Sequence, residues 1–267
     1  MNEPLLWNIA IFIFGACVGS FLNVCIHRMP LDQSIVFPGS HCPKCEKPIA
    51  GYDNIPILSW FILGGKCRGC KVRISPRYFV IEFINAAAWL YLWKIFGLSP
   101  FFAVGAVLFS ILLAVTVTDL ETGLIPDKLS LPGMVAGVIF STIWPVLHGQ
   151  TVWYQGTLQS ALGVLVGGGI LYGVGMIGTA MFRKESMGGG DIKLLAMMGA
   201  FLGFKKVILV FFMSPFPALP FALFARYFRK EETIPFGPFL AMAGIVSFLY
   251  GDFLIDFFLK IYGVKHA

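Results

Sequence analysis

Hydrophobic residues run along this chain in long unbroken stretches, and polar residues are confined to the intervals between them. Apolar stretches of about 20 residues are the length that crosses a bilayer as a helix. Eight spans are expected, at roughly 5–26, 78–96, 101–118, 129–147, 158–182, 191–203, 205–227 and 236–259. The sixth is short and opens on a glycine run. Periodicity adds little inside these stretches, because helices surrounded by lipid and protein are apolar on every side. Gly15, Gly19 and the series Gly163, Gly167, Gly168, Gly169 and Gly173 lie within spans, where small residues permit close helix packing. The pattern predicts an all-α polytopic membrane protein with one long polar insertion between its first two helices.

Composition agrees. Of 267 residues, 57% are hydrophobic and 13% charged, and the mean hydropathy is +0.81. A soluble domain is about half apolar and about a quarter charged. The first stretch is read as a retained helix, since "MNEPLLWN" carries no Lys or Arg and no A-x-A site follows.

Basic residues set the expected orientation. Arg28, Lys44, Lys47, Lys66, Arg68, Lys71, Arg73 and Arg77 crowd one interval, where Asp32, Glu46 and Asp53 leave a formal +5. The intervals 97–100 and 148–157 contain no charged residue. The basic segment is therefore expected in the cytoplasm, with both termini outside and the intervals near 119–128, 183–190 and 228–235 inside. Lys205, Lys206, Lys260 and Lys265 fall on the opposite side and strain this assignment.

The basic segment also holds two C-x-x-C pairs, Cys42/Cys45 and Cys67/Cys70, with 21 residues between them. Two such pairs converge readily on a four-thiolate zinc site. Redox-active or free cysteines are the alternative, and a reducing cytoplasm disfavours a structural disulfide. A stretch of this size has little core of its own, so a metal staple answers a physical need. The remaining positive charge is read as facing anionic membrane lipid. No nucleic-acid partner is expected, because a basic groove with stacking aromatics is missing. Cys17 and Cys25 are read as buried apolar thiols, and His27, His41, His148 and His266 as solvated or interfacial.

Three acids fall at span borders on the expected cytoplasmic side. Asp119 closes the third span, Asp127 precedes the fourth, and Asp191 opens the sixth behind Gly188, Gly189 and Gly190. Asp127 has the position of an N-cap, and an interfacial acid can simply be hydrated. Asp119 is harder to explain, because an acid at a helix C-terminus opposes the dipole. Two carboxylates sharing a proton can activate water and protonate a leaving amine. Glycines beside one of them would let a substrate backbone come close. On helix ends alone, Asp191 would be the base and Asp119 the acid. A transporter or zinc-bearing adaptor is the rival reading; its intramembrane acids would belong at the midplane, within broken repeats that are not seen here.

At this point the residues resemble a known family. "GGGD" at 188–191 matches the G-x-G-D motif of polytopic aspartic proteases, and "DLETGLIPD" is similar to the first-aspartate segment of type IV prepilin peptidase/N-methyltransferases. "GSFLNVCIHRMP", "YDNIPILSW", the cysteine quartet, "ISPRYFVIEF", "GDIKLLAMMGAFLG" and "IPFGPFLAMAG" follow in that family's order over almost the whole chain. "RYF" stands where the family commonly has "RYP", which relaxes the start of the second span.

The resemblance implies an enzyme of the bacterial inner membrane with its site facing the cytoplasm. It would cut the basic leader of type IV prepilins or type II secretion pseudopilins after a glycine, then methylate the new amine with S-adenosylmethionine. Asp119 and Asp191 would be the catalytic pair, Gly188 and Gly190 the motif glycines, and Asp127 an accessory acid. Cys42, Cys45, Cys67 and Cys70 would bind zinc. Residues 1–27 would be the first helix, 28–77 the cytoplasmic, zinc-ribbon-like segment linked to methyl transfer, and 78–267 the peptidase bundle. No G-x-G-x-x-G follows a predicted strand, so a Rossmann-type cofactor site is not expected. Asn23, Arg28, Arg77 and Glu82, polar residues at the membrane border, are the candidates for the methyltransferase side; helix packing or snorkelling would also account for them. A peptidase without methyl transfer remains the alternative. The basic zinc segment would repel the leader, leaving Asp119, Glu121, Asp127 or anionic lipid to receive it.

Overall fold

The structure, a computed structural model, describes residues 5–183, 187–229 and 234–261. Lys265, His266 and the interval positions 184–186 and 230–233 lie outside the described residues. Contacts divide the chain into two compact units, Met1–Ala114 and Val115–Ala267.

The first unit contains α1 (Leu5–Arg28), a short α2 (Leu58–Ile62), α3 (Arg77–Phe96) and most of α4 (Pro100–Thr122). The α1–α3 seam rests on small residues. A Cβ on Gly15 would stand 2.9 Å from the Ala86 Cα, and one on Gly19 would stand 2.7 Å from the Glu82 Cα. Asn85, fully buried, donates its amide to the Gly15 carbonyl at 2.8 Å. Its own oxygen accepts from Ser110 at 2.9 Å, and the Trp89 indole donates to the same hydroxyl at 3.0 Å. Lipid offers no hydrophobic drive for helix association, so close backbones and shared hydrogen bonds must supply it. Cys25 is buried as expected, whereas Cys17 is exposed on α1.

The second unit takes the end of α4, then α5 (Asp127–Ile143), a 3₁₀ turn (Pro145–His148), α6 (Trp153–Phe182), α7 (Gly189–Met213), α8 (Pro215–Phe224) and α9 (Gly237–Ile261). Its centre is α7, buried without a gap from Leu194 to Gly203. Gly163 of α6 and Gly199 of α7 abut so closely that a Cβ on either would strike the other's carbonyl. A Cβ on Gly167 would stand 2.6 Å from the Leu195 carbonyl, but Gly169 and Gly173 face open space. Only part of the expected glycine series is therefore packing surface.

Six described helical runs are long and apolar enough to cross a membrane: α1, α3, α4, Trp153–Met181 within α6, the run Gly189–Tyr227, and α9. The eight expected spans differ from this at two places. The helix α5 has 17 residues, about 25 Å of rise against a hydrocarbon core of about 30 Å. It stops at Ile143 because Trp144 precedes Pro145 and takes a non-helical ψ of 73°. The expected spans 191–203 and 205–227 lie in one run, interrupted at Gly203, whose φ of 76° and ψ of 172° are open to glycine alone.

Breaking a helix in an apolar setting frees carbonyls that need donors. Ser141 and Ser160 both donate to the Ala200 carbonyl, at 3.0 and 2.8 Å, and Ser247 donates to that of Lys206 at 3.0 Å. His148 bonds Ser141 at 2.8 Å and the Leu202 backbone, and sits where a side chain on Gly203 would go. The expectation of a solvated His148 is thus corrected: it fills the break. Burial, with the Lys206 charge nearby, pushes its pKa down to about 4. Lys206, one of the residues straining the orientation, pairs with Asp252 at 2.8 Å.

In detergent, Gly163→Ala is expected to lower stability by about 1–3 kcal/mol through overpacking, while Gly169→Ala should be neutral or gain up to about 1 kcal/mol of helix propensity. Thermal unfolding of the two variants checks this. A second outcome concerns pH. Because folded His148 has a depressed pKa, its contribution is complete above about pH 6.5 and is lost as pH falls toward about 4, a change of about 3 kcal/mol. The fall in Tm over that range should be shallower in His148→Gln.

Candidate functional site

Asp119 lies in the last turn of α4, ahead of Gly123, and is only 5% exposed. Its neighbour is the start of α9. The Gly237 N–H, one of that helix's unpaired donors, gives a 2.9 Å hydrogen bond to Asp119 Oδ2. This resolves the dipole problem: the unfavourable end of its own helix is offset by the favourable end of another. Position 237 must be glycine for this to occur, since a Cβ there would stand 2.6 Å from the same oxygen.

Asp191 occupies the first turn of α7, with Gly188 as the N-cap. Its Oδ2 folds back toward Gly188, 3.1 Å from where a Cβ would be. Its Oδ1 is buried and has no hydrogen-bond partner among the described residues. An unpartnered carboxylate oxygen out of water is costly, which marks it as a place for a water or substrate group. The two acids are joined through Ile125. A Cβ on Gly190 would stand 2.9 Å from the Ile125 Cβ, and one on Gly237 would stand 3.2 Å from its Cδ1. Asp119 is within Coulombic reach of Asp191. Gly188 and Gly190 allow tight approach of Asp191 and Ile125, and only Gly189 faces open space.

Asp127 is not part of this pair. It begins α5 without capping it, the N-cap being Pro126, and both of its oxygens bind Lys193 at 2.8 and 2.7 Å on an exposed surface. That ion pair ties the start of α5 to the turn of α7 that carries Asp191.

In the first unit the four cysteine sulfurs lie within 4.8 Å of one another, with Cys42 and Cys70 3.7 Å apart. Tetrahedral metal–sulfur bonds of about 2.3 Å require sulfurs about 3.8 Å apart. The two pairs are built alike. The Cys42 N–H donates to the Lys47 carbonyl and the Glu46 N–H to that of Cys42; Cys67, Val72 and Lys71 repeat the arrangement. Glu46 and Lys71, each following a second cysteine, turn the chain with φ near 56° and 58°. Backbone N–H groups of Cys45 and Lys44 hold the Cys42 thiol down to about 6. Against the Val72 backbone N–H, burial and its three neighbouring sulfurs push Cys70 up to about 11, so that without a metal the quartet shares protons among its sulfurs. His41 bonds the Gly39 carbonyl and lies outside the quartet. Arg68 grips Asp53 through two hydrogen bonds, at 2.7 and 2.6 Å, fastening the second pair to the intervening turn and holding the Asp53 carboxyl below its usual range.

The residues expected on the methyltransferase side have structural partners. Asn23 donates to the Tyr78 carbonyl at 3.1 Å across the α1–α3 seam. Glu82 accepts the Ile57 N–H at 2.7 Å. Arg28 binds the Ser34 and Gly39 carbonyls, and Arg77 lies 5.2 Å over the Tyr78 ring. Arg28 also lines an open cavity of about 360 Å³ with Gln33, Ser34, Phe37, Pro38 and His41. Sequence reasoning missed Gly237, Ile125 and Lys193 as parts of the acid site. The available signal was a Gly-Pro pair opening the last span, but nothing local tied it to Asp119.

A polytopic membrane protein with a buried acid, Asp119, within Coulombic reach of a half-buried one, Asp191, and a four-cysteine cluster is the class these features define. Residues 13–96 match the bacterial peptidase A24 N-terminal domain, and residues 106–223 match the type IV leader peptidase family. A prepilin leader peptidase/N-methyltransferase of Aeromonas salmonicida (strain A449) is 33% identical, over 96% of this chain and 95% of its own length. Relatives of the same description in Bacillus subtilis (strain 168) and Pseudomonas aeruginosa are 34% and 32% identical; they cover 94% and 99% of this chain and 97% of their own lengths. No solved structure matches the chain. The chain belongs to the prepilin leader peptidase/N-methyltransferase family.

Protein purified in detergent is expected to carry roughly one tightly bound metal ion per chain. Elemental analysis should show it retained in Cys17→Ser and lost in Cys42→Ser.

Proposed function

We propose that this bifunctional enzyme cuts the basic leader from type IV prepilins or type II secretion pseudopilins after a glycine, and methylates the newly exposed amine using S-adenosylmethionine. The work takes place at the cytoplasmic face of the bacterial inner membrane. The observation that carries the reading is the gathering of Asp119 and Asp191 around Ile125, with one buried oxygen unpartnered among the described residues. The relatives' names, joining both activities over nearly the whole chain, support the two chemistries.

Asp119 and Asp191 share the proteolytic roles. A donated N–H suits a carboxylate, so Asp119, held by Gly237, takes a proton from water. The oxygen of that water bonds to the glycine carbonyl carbon. Asp191, whose Oδ1 meets no donor among the described residues, gives its proton to the departing amine nitrogen as the C–N bond breaks. These roles reverse those drawn from helix ends alone, because the donor from α9 is a tertiary contact.

The cysteine quartet is assigned structural zinc, a role that suits four protein thiolates leaving no open coordination position. S-adenosylmethionine, when bound, would supply an electrophilic methyl group to the new N-terminal amine. Asp127 is engaged by Lys193 and Asp119 by Gly237, so Glu121, exposed at the end of α4, and anionic lipid headgroups are the better receivers of the leader's charge. The concentration of Lys and Arg in residues 28–77 supports the cytoplasmic orientation, and the Lys206–Asp252 pair weakens one objection to it.

Detergent-purified protein incubated with a prepilin and methyl-labelled S-adenosylmethionine separates the two activities. Asp119→Asn and Asp191→Asn should each slow cleavage by about 10²–10⁴-fold. Gly237→Ala should lower kcat with little change in KM. Cys42→Ser should keep substantial cleavage and lose label incorporation. Unimpaired processing by the Asp119→Asn/Asp191→Asn double variant would overturn the assignment.

A further inference from the structure

The run "IPILSWFIL" (55–63) is nearly all apolar, yet it sits in the interval between spans, amid the basic residues. It does not build a core there. On α2, Leu58 is 57% exposed, Phe61 59% and Ile62 71%. What holds α2 in place is the start of α3. Trp60 stacks on Phe79 at 5.5 Å, Phe61 meets the same ring edge-on at 5.1 Å, and Phe79 stacks on Phe83. The Ile57 N–H, at the N-cap of α2, bonds Glu82.

Depth follows from length. The helix α3 has 20 residues, about 30 Å, which is the thickness of the hydrocarbon core with nothing to spare. Residues 79–83 lie about 3–9 Å along its axis, within the border between headgroups and acyl chains. A helix stacked against those residues lies at the same depth. Val80 and Phe83 of α3 are themselves 42% and 47% exposed, so the outward apolar surface passes from the spanning helices onto α2. Immediately beyond come Lys66, Arg68, Lys71 and Arg73, all exposed on the second cysteine pair.

We propose that α2 is an interfacial anchor. Leu58, Phe61 and Ile62 enter the bilayer that α3 spans, and the adjoining basic residues meet anionic headgroups, so that the four-cysteine segment is seated on the membrane surface. An apolar face in the acyl border beneath a basic rim is the arrangement that binds anionic membranes. A second copy fits less well, because stable protein contacts bury about 800 Å² on each partner, far more than three side chains on five residues of helix offer.

Full-length protein in nanodiscs of phosphatidylglycerol and phosphatidylcholine, doped with a phospholipid bearing a diazirine in its acyl chain, tests this directly. After irradiation, tryptic peptides are mapped by mass spectrometry. Adducts are expected on Cys45–Lys66, at Leu58, Phe61 or Ile62, as well as on the α3 peptide Tyr78–Lys94. Phe61→Ser/Ile62→Ser should reduce the first several-fold and leave the second unchanged. Labelling of the α3 peptide without any on Cys45–Lys66 in the wild type would overturn the proposal, as would chain-to-chain cross-linking from a photoreactive benzoylphenylalanine placed at Phe61. Neither readout depends on cleavage or methyl transfer, so the anchor and the proposed chemistry fail separately.

Discussion

A carboxylate out of water must find its hydrogen bonds within the protein, and the second unit is arranged around that demand at Asp119. The N–H that satisfies it comes from the first residue of α9, more than a hundred positions later in the chain. An α-helix leaves its first N–H groups unpaired, so its N-terminus is a ready donor for an anion. The contact needs glycine at 237, and the same close approach brings the α9 start against Ile125, which also meets Gly190 beside Asp191. One hydrogen bond thus links three helix ends that are far apart in sequence.

The same rule governs the helix interiors. With lipid outside, association is not driven by burying apolar surface, and contacts are made where backbones come close or where polar groups can be shared. Gly163 against Gly199 supplies the first kind, and the Asn85–Ser110–Trp89 group in the other unit supplies the second. The break at Gly203 combines both. Ser141, Ser160 and His148 take up the backbone groups around it, which keeps a non-helical residue tolerable at the middle of a buried helix.

The cysteine segment meets a different shortage. Lacking a core, it relies on two turns of matching backbone hydrogen bonding, a four-sulfur cluster, and the Arg68–Asp53 grip. Its one apolar stretch is stacked against α3 and exposed on its other face. Asn23, Arg28 and Glu82, conspicuous in sequence as polar residues at a membrane border, anchor the chain where it leaves and re-enters the helices.

Some of this was legible in residues alone, because it is local. Apolar run length marks helices for lipid, doubled C-x-x-C spacing marks a four-sulfur cluster, and acids at span borders mark Asp119 and Asp191. Which acid has a donor, which glycines pack and which face open space, and whether Asp127 joins the pair all depend on the approach of other helices. So does the break within the Gly189–Tyr227 run, where the tolerance of Gly203 rests on side chains from three other elements. Sequence determines what each segment can form and which groups it must satisfy; only the tertiary structure decides who satisfies them, because a hydrogen bond or a close backbone contact in an apolar medium is made by whichever segment arrives, regardless of its distance along the chain.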